Sequence, residues 1–285
     1  MQPTYTEYPD AASFLAAARE TLEREECANS LMFGVCLRLV GEPEAYGSRP
    51  YLAAIESEGT LRAAAVMTPP YRLQLWTAGE PDPASLAMLT GALLQEMWAV
   101  PGVLAREAAA LAFASAGHDA TGAEWLVAER MRLYELRRVD HPAYPPGSLR
   151  PAGLDEIDLV RRWAYGFHED CFADGEHERS MQSAEEKVRA GTLFVWVDGV
   201  PRSMAARLRP TPHGEAVSFV YTPPAQRGRG YATAAVAQLS QRVLDGGKEF
   251  CTLYADLANP VSNSIYQRIG YRPVADVLGL DFSAA

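Results

Sequence analysis

Tyr221-Thr222-Pro223-Pro224-Ala225-Gln226-Arg227-Gly228-Arg229-Gly230-Tyr231-Ala232-Thr233 is the stretch on which the reading of this chain turns. The run before it, Ala216-Val217-Ser218-Phe219-Val220-Tyr221, is rich in β-branched and aromatic residues and predicts a strand. The run after it, Gly230–Leu244, predicts a helix. The first amides of a helix have no intrahelical acceptor and lie at the positive end of its dipole, so such a junction can coordinate phosphate oxygens. Gly228 and Gly230 leave the backbone open to close approach. Arg227 and Arg229 add positive charge on a chain whose formal net charge is −10.

Three readings stay open on these residues alone. A P-loop requires glycine followed by Lys and Ser or Thr, where this chain has Gly230-Tyr231-Ala232. A dinucleotide loop shares Gly228-Arg229-Gly230-Tyr231-Ala232 superficially, but it follows the first strand of a βαβ unit, and the strands here are hairpin-connected. The third is a glycine-rich turn that only starts a helix.

Working outward, Leu193–Val197 and Ser203–Leu208 flank Asp198-Gly199, a hairpin signal. With Ala216–Tyr221, after the turn at Thr211-Pro212-His213-Gly214, they predict an antiparallel meander. The helix ends at Asp245-Gly246-Gly247, where glycine can take a left-handed cap, and Phe250–Ala255 follows as a strand. Asn259-Pro260 opens a last helix with an N-cap side chain and a first-turn proline, Gly270 closes it, and Tyr271–Phe282 returns as a strand. Upstream, Leu149-Arg150-Pro151 is a short edge strand, with helices from Asp155 and from Ser183 to Ala190. The fold class is α/β, a mixed and mostly antiparallel sheet with flanking helices.

Arg227-x-x-Gly230-x-Ala232 is similar to the Arg/Gln-x-x-Gly-x-Gly/Ala signature of the GCN5-related N-acetyltransferase family. Asn259-Pro260-Val261-Ser262-Asn263-Ser264-Ile265-Tyr266-Gln267-Arg268-Ile269-Gly270-Tyr271 resembles that family's second motif, in the right order, and the likeness is to the FR47-like branch. The resemblance implies an acetyl-CoA-dependent N-acetyltransferase that moves an acyl group to a primary amine of a small molecule or peptide by direct attack. It places coenzyme A against the backbone of Phe219, Val220 and Tyr221, against Gln226, Arg227, Gly228, Arg229, Gly230, Tyr231, Ala232 and Thr233, and against Asn259, Ser262, Asn263 and Tyr266. It implies that the sheet splays between Phe219–Tyr221 and Phe250–Ala255, that an amide near Val220 stabilises the oxyanion, and that Tyr266 protonates the leaving thiolate. A phenol of pKa near 10 suits that last task. For the general base the residues offer Glu215, His213, Glu176 and His168 without choosing, and a water chain would serve instead. Trp163, Tyr165, Phe167 and Phe172 line either the acceptor pocket or the core. The alternative of another class is an acyl-CoA-binding sensor or scaffold without turnover.

Asp140-His141-Pro142-Ala143-Tyr144-Pro145-Pro146-Gly147 forbids helix and interrupts any central strand. It divides the chain into an N-terminal domain over 1–140, a Pro-rich linker over 141–148 and a catalytic domain over 149–285. The N-terminal part gives a weaker version of the same layout: helices at 10–25 and 28–40, strands at 51–55, 61–67 and 71–76, a helix at 84–100 and a strand at 131–139. It reads as a degenerate copy, so the expectation is a tandem. Its counterpart of the loop, Thr77-Ala78-Gly79-Glu80-Pro81-Asp82-Pro83, has two acids and no Arg-x-x-Gly, a poor phosphate site.

The acidic balance argues against a sequence-independent grip on nucleic acid or an anionic membrane, and through steering it favours a cationic amine. No apolar run approaches the ~18–20 residues of a membrane span, and Met1-Gln2-Pro3-Thr4 is not the start of a signal peptide, so a cytoplasmic protein is expected. Cys27, Cys36, Cys171 and Cys251 form no CxxC pair and read as buried free thiols; the five histidines are scattered, so no metal is expected. A homodimer stays open.

Overall fold

The computed structural model describes residues 3–172 and 175–283. The chain divides into two compact units, Met1–Leu133 together with Val274–Ala285, and Tyr134–Pro273. The Pro-rich segment therefore lies inside the second unit.

The first repeat runs β1 (Thr4–Glu7), α1 (Ala11–Glu23), α2 (Ser30–Gly41), β2 (Tyr51–Ser57), β3 (Thr60–Met67), β4 (Leu73–Thr77), α3 (Pro83–Gln95), β5 (Gly102–Arg106), α4 (Glu107–Thr121) and β6 (Trp125–Leu136). The second runs β7 (Ser148–Pro151), α5 (Ile157–Cys171), α6 (His177–Arg189), β8 (Leu193–Asp198), β9 (Val200–Leu208), β10 (Gly214–Tyr221), α7 (Tyr231–Asp245), β11 (Phe250–Asp256), α8 (Pro260–Ile269) and β12 (Arg272–Phe282). Strand, helix, helix, three strands, helix, strand, helix, strand thus occurs twice. The sequence reading missed β1, β5 and α4 and began α6 too late. None of the described helices is long and apolar enough to cross a membrane.

In the first unit the sheet order is β1-β2-β3-β4-β5-β12, parallel only at β4–β5, where Leu73 and Gln74 face Val103 and Leu104. β12 continues it antiparallel to β5, from Val277–Arg106 to Asp281–Gly102, and Leu278 and Leu280 enter the core under α3 and α4. Gly102 is required there, since a Cβ would sit 2.0 Å from the Leu280 carbonyl oxygen. A second core lies under α1 and α2 around Phe14, Leu22, Phe33 and Leu52.

In the second unit the order is β6-β11-β10-β9-β8-β7, with β10–β11 parallel and β10–β9, β9–β8 and β8–β7 antiparallel. The predicted hairpin forms, with Asp198 opposite Val200 across Gly199 in a left-handed conformation. One face of this sheet is covered by α7 and α8 around Val217, Val236, Leu239 and Tyr271. The other is covered by α5 and α6 around Val160, Trp163, Val195 and Met204. Trp196 is fully buried and donates its indole N–H to the Pro146 carbonyl at 3.1 Å, while Asp140 N–H reaches the Ile269 carbonyl at 2.7 Å. These bonds tie the Pro-rich segment to the unit's core.

Candidate active site

β10 and β11 share parallel register only from Gly214–Phe250 to Ala216–Thr252, yet β10 runs on to Tyr221 and β11 to Asp256. The sheet therefore opens in front of the loop, as the resemblance implied. A bulge sharpens the opening: register with β9 shifts between Ser218 and Tyr221, and Phe219 adopts φ +53°, a left-handed conformation in which β10 bends. The strand end is pinned where pairing ceases. The buried Ser203 hydroxyl donates to the Tyr221 carbonyl and receives the Thr222 hydroxyl, both at 2.9 Å.

After Tyr221 the chain makes a single turn of 3-10 helix at Pro224–Gln226 and enters α7 through Gly230, its N-cap, with φ +80°. Gly228 is left-handed too, at φ +76°, and a Cβ there would meet nothing within 4 Å. Gly230 has no side chain to cap the helix, and the amides from Gly228 to Thr233 find no acceptor outside α7 among the described residues. The cradle is therefore open to an anion. The corresponding turn before α3 is closed: Asp82 is the N-cap, and its carboxylate accepts from Ala84 N–H at 3.4 Å, Ser85 N–H at 3.0 Å and the Ser85 hydroxyl at 2.6 Å. These bonds hold its pKa below the ordinary value. The start of α3 is thus capped by its own chain, where the start of α7 is not.

The side chains of the loop divide the work. The Arg227 guanidinium is held by Asp170 of α5, donates from Nε to the Thr222 carbonyl at 2.9 Å and lies over the Tyr221 ring. It braces the loop. Arg229 is exposed and has no polar partner among the described residues. Gln226 accepts from Arg202 at 3.3 Å. Tyr231 buries its ring and donates to Asp198 at 2.8 Å, anchoring the helix start; Thr233 is buried in the first turn.

On α8, Asn259 caps the helix by accepting from Ser262 N–H at 3.0 Å, as its place before Pro260 predicts. Asn263 spends its amide within the unit, donating to the Asp256 and Asn259 carbonyls at 2.8 and 2.7 Å and accepting from Tyr134 at 2.7 Å. The structure thus gives both asparagines fold-holding bonds.

Tyr266 stands apart from the other tyrosines of this core. Tyr134 donates to Asn263, Tyr231 to Asp198, Tyr144 bonds His141, and Tyr271 bonds Ser240 at 2.8 Å. Tyr266 is 8% exposed, and its hydroxyl has no hydrogen-bond partner among the described residues. Its pKa is raised, first by burial and then by the neighbouring Cys171 thiol, so it keeps its proton.

Of the four candidate bases, His168 is buried and bonded to the Ser180 hydroxyl at 2.8 Å. His213 and Glu176 are exposed. Glu215 is buried at the start of β10, opposite Cys251, and burial raises its pKa against the opposing pull of Arg207 and Lys248. It is roughly 20 Å of strand from Tyr221 by the rise per residue.

The C-terminal end of α5, read in the sequence for His168 and its aromatic residues, also places three residues at the loop that were not read there. Asp170 holds Arg227. Gly166 lets the Tyr221 ring lie against the helix, since a Cβ there would be 2.3 Å from the Tyr221 hydroxyl oxygen. Cys171, the one exposed cysteine, is pushed up to about 11 by burial of the thiol and by the carboxylates of Asp170 and Asp256. The one legible signal was a glycine inside an amphipathic helix. The aromatic residues of this segment divide: Trp163 is core, Phe167 stacks on Phe219 at 5.1 Å, and Tyr165 stacks on His177 at 4.5 Å. Among the described residues no cluster of His, Cys, Asp and Glu is arranged to hold a metal.

Residues 197–277 match the family model described as FR47-like protein, which spans the hairpin, the loop, α7, β11 and α8. No curated protein matches the chain by sequence. Among solved structures, a GCN5-related N-acetyltransferase from Sphaerobacter thermophilus is similar over 98% of this chain and 95% of its own, at 15% identity and a TM-score of 0.62. A GNAT-family acetyltransferase from Colwellia psychrerythraea is similar over 99% and 100%, at 13% identity and a TM-score of 0.57. A tandem GNAT protein from the clavulanic acid biosynthesis pathway is similar over 99% and 98%, at 13% identity and a TM-score of 0.55. Residues 197–277 are therefore an FR47-like region, within a chain that has the tandem fold of the GCN5-related N-acetyltransferases.

Proposed function

We propose that the second unit is an N-acetyltransferase that moves the acetyl group of acetyl-CoA to a primary amine of a small molecule or peptide by direct attack. The observation that carries this reading is the coincidence, at one end of the sheet, of a helix N-terminus with no side-chain cap, a parallel pair that opens, and a protonated phenol with no hydrogen-bond partner among the described residues.

The residues fit acetyl-CoA on grounds internal to the fold. Gly228, Gly230 and the free amides of α7 suit the pyrophosphate, with Arg229 beside them. The unpaired backbone of β10 beyond Ala216 suits an amide-bearing arm lying along it as an added strand would. When bound, the thioester supplies an activated acyl group. The chain's own residues then do two things. A backbone amide at the bulge near Val220 donates to the oxygen on which negative charge develops, and Tyr266 donates its proton to the departing sulfur. Burial suits Tyr266 to that role by keeping the hydroxyl protonated. The first unit, whose α3 amides are already occupied by Asp82, is the degenerate partner and binds no second coenzyme by this route.

The test incubates the full chain with acetyl-CoA and a panel of amines, amino acids, aminoglycosides and peptides, following free thiol. Acceleration by at least one amine, lost in Tyr266→Phe while calorimetric binding of coenzyme A persists, is the expected result. Binding with no turnover on any acceptor would leave a sensor or scaffold as the function.

A further inference from the structure

The first unit holds a cavity that the acyl-transfer reading does not use. It lies at the C-terminal ends of α3 and α4, away from the Asp82 cap, and is a half-open pocket of about 150 Å³. Leu93, Trp98, Phe113 and Phe282 form apolar walls, and no Lys, Arg, Asp or Glu is among the described lining residues. A charged ligand would lose its hydration there without recompense. The volume matches cavities that hold one benzene-sized molecule.

Four polar side chains interrupt the apolar lining, and two of them are spent within the protein: the Thr121 hydroxyl donates to the Gly117 carbonyl and accepts from Ala123 N–H, and the Ser283 hydroxyl bonds the Glu124 backbone. Thr90 is 6% exposed, and its hydroxyl has no hydrogen-bond partner among the described residues. Buried hydroxyls without partners are uncommon and call for a cause. A helical threonine has two accessible χ1 rotamers, so the hydroxyl and methyl can exchange places toward the cavity without backbone movement. His118 also lines the cavity, with Nδ1 3.0 Å from the Ala123 carbonyl oxygen. A carbonyl only accepts, so Nδ1 carries the hydrogen, and Nε2 of the neutral ring is left as an acceptor.

We propose that this cavity binds a small neutral phenol: one aromatic ring for the apolar walls, and one hydroxyl that pairs with Thr90, with His118 available as acceptor. A ring without the hydroxyl would fill the volume and leave Thr90 unpaired. A carboxylate or an amine would enter charged.

The probes are 4-methylphenol and its hydroxyl-free counterpart toluene, titrated into the full chain with ligand-observed NMR and Trp fluorescence as readouts. The wild-type protein is expected to bind 4-methylphenol more tightly than toluene. Thr90→Val, which keeps the shape and removes the hydroxyl, is expected to weaken 4-methylphenol by about three- to tenfold, the worth of one hydrogen bond, and to leave toluene unchanged or tighter. Ala114→Leu fills the cavity and is expected to remove both. Failure of 4-methylphenol to bind the wild-type protein overturns the proposal. An unchanged ratio of the two affinities in Thr90→Val also overturns it, whether or not Ala114→Leu folds.

Discussion

Replacing Gly230 by aspartate should convert the open helix start of the second unit into the closed one of the first. The substituted carboxylate would lie against the first-turn amides of α7, as Asp82 lies 3.0 Å from Ser85 N in α3. A pyrophosphate needs those same amides, which brings the two anions to about 5 Å. At an effective dielectric near 20 that is about 3 kcal/mol of repulsion per unit charge, and physiological salt roughly halves it to about 2. The expected loss of coenzyme A affinity is therefore about 20- to 30-fold. Gly230→Asn is the matched control: it has the same shape, it tolerates the φ of +80° about as well, and it brings no charge. Calorimetric titration of coenzyme A into both variants at low and high salt isolates the electrostatic part. Equal affinities for Asn and Asp, or a gap between them indifferent to salt, would refute the assignment of the pyrophosphate to these amides.

Burial holds the Tyr266 phenol above its ordinary pKa, so loss of its proton should produce no falling limb in the kcat profile below about pH 10; a limb there that vanishes in Tyr266→Phe would contradict its role as proton donor. Gly166→Ala places a methyl 2.3 Å from the Tyr221 hydroxyl oxygen and should destabilise by about 1–3 kcal/mol through overpacking, with Tyr221→Phe restoring part of the loss in a double-mutant cycle. Additive effects in that cycle would mean that the two residues do not meet. Glu156, held below its ordinary pKa by Arg150 and then by the Gly153 amide, contributes stability that is complete above about pH 4.5 and disappears as pH falls through its lowered value. Urea midpoints of wild type and Glu156→Gln should accordingly differ at pH 7, by no more than about 1 kcal/mol, and converge in acid; a gap that widened in acid would reverse the sign of this coupling.

The second repeat was legible because its punctuation is local. Asp198-Gly199, Asn259-Pro260 and Gly270 each sit where the backbone demands them, and the observed caps and the hairpin follow. The first repeat lacked such marks at its centre. Gly102-Val103-Leu104-Ala105-Arg106-Glu107-Ala108-Ala109-Ala110-Leu111 passes from β5 into α4 at Arg106 with no proline or glycine between them, so one apolar run hides a strand and a helix. Only the parallel partner β4 and the packing of Phe113 separate the two. The site was legible where it depends on backbone, in the two glycines and the helix start, and illegible where it depends on tertiary approach. Nothing local in Asp170 says that it will hold Arg227, and that Tyr266 has no hydroxyl partner among the described residues emerges only when the other tyrosines are seen to have theirs.

β12 gives the chain an order of assembly opposite to its order of synthesis. Leu278 and Leu280 complete the core of the first unit, and β5 has no antiparallel neighbour in that unit until β12 arrives. A chain growing from its N-terminus must hold the β4–β5 pair with an open edge and an unfinished core while residues 107–273 are still being made, at about 5–20 residues per second. The second unit is continuous in sequence and closes on itself first. The first unit, begun earliest, is finished last, and for many seconds of synthesis its β5 edge stands open to pairing with another molecule.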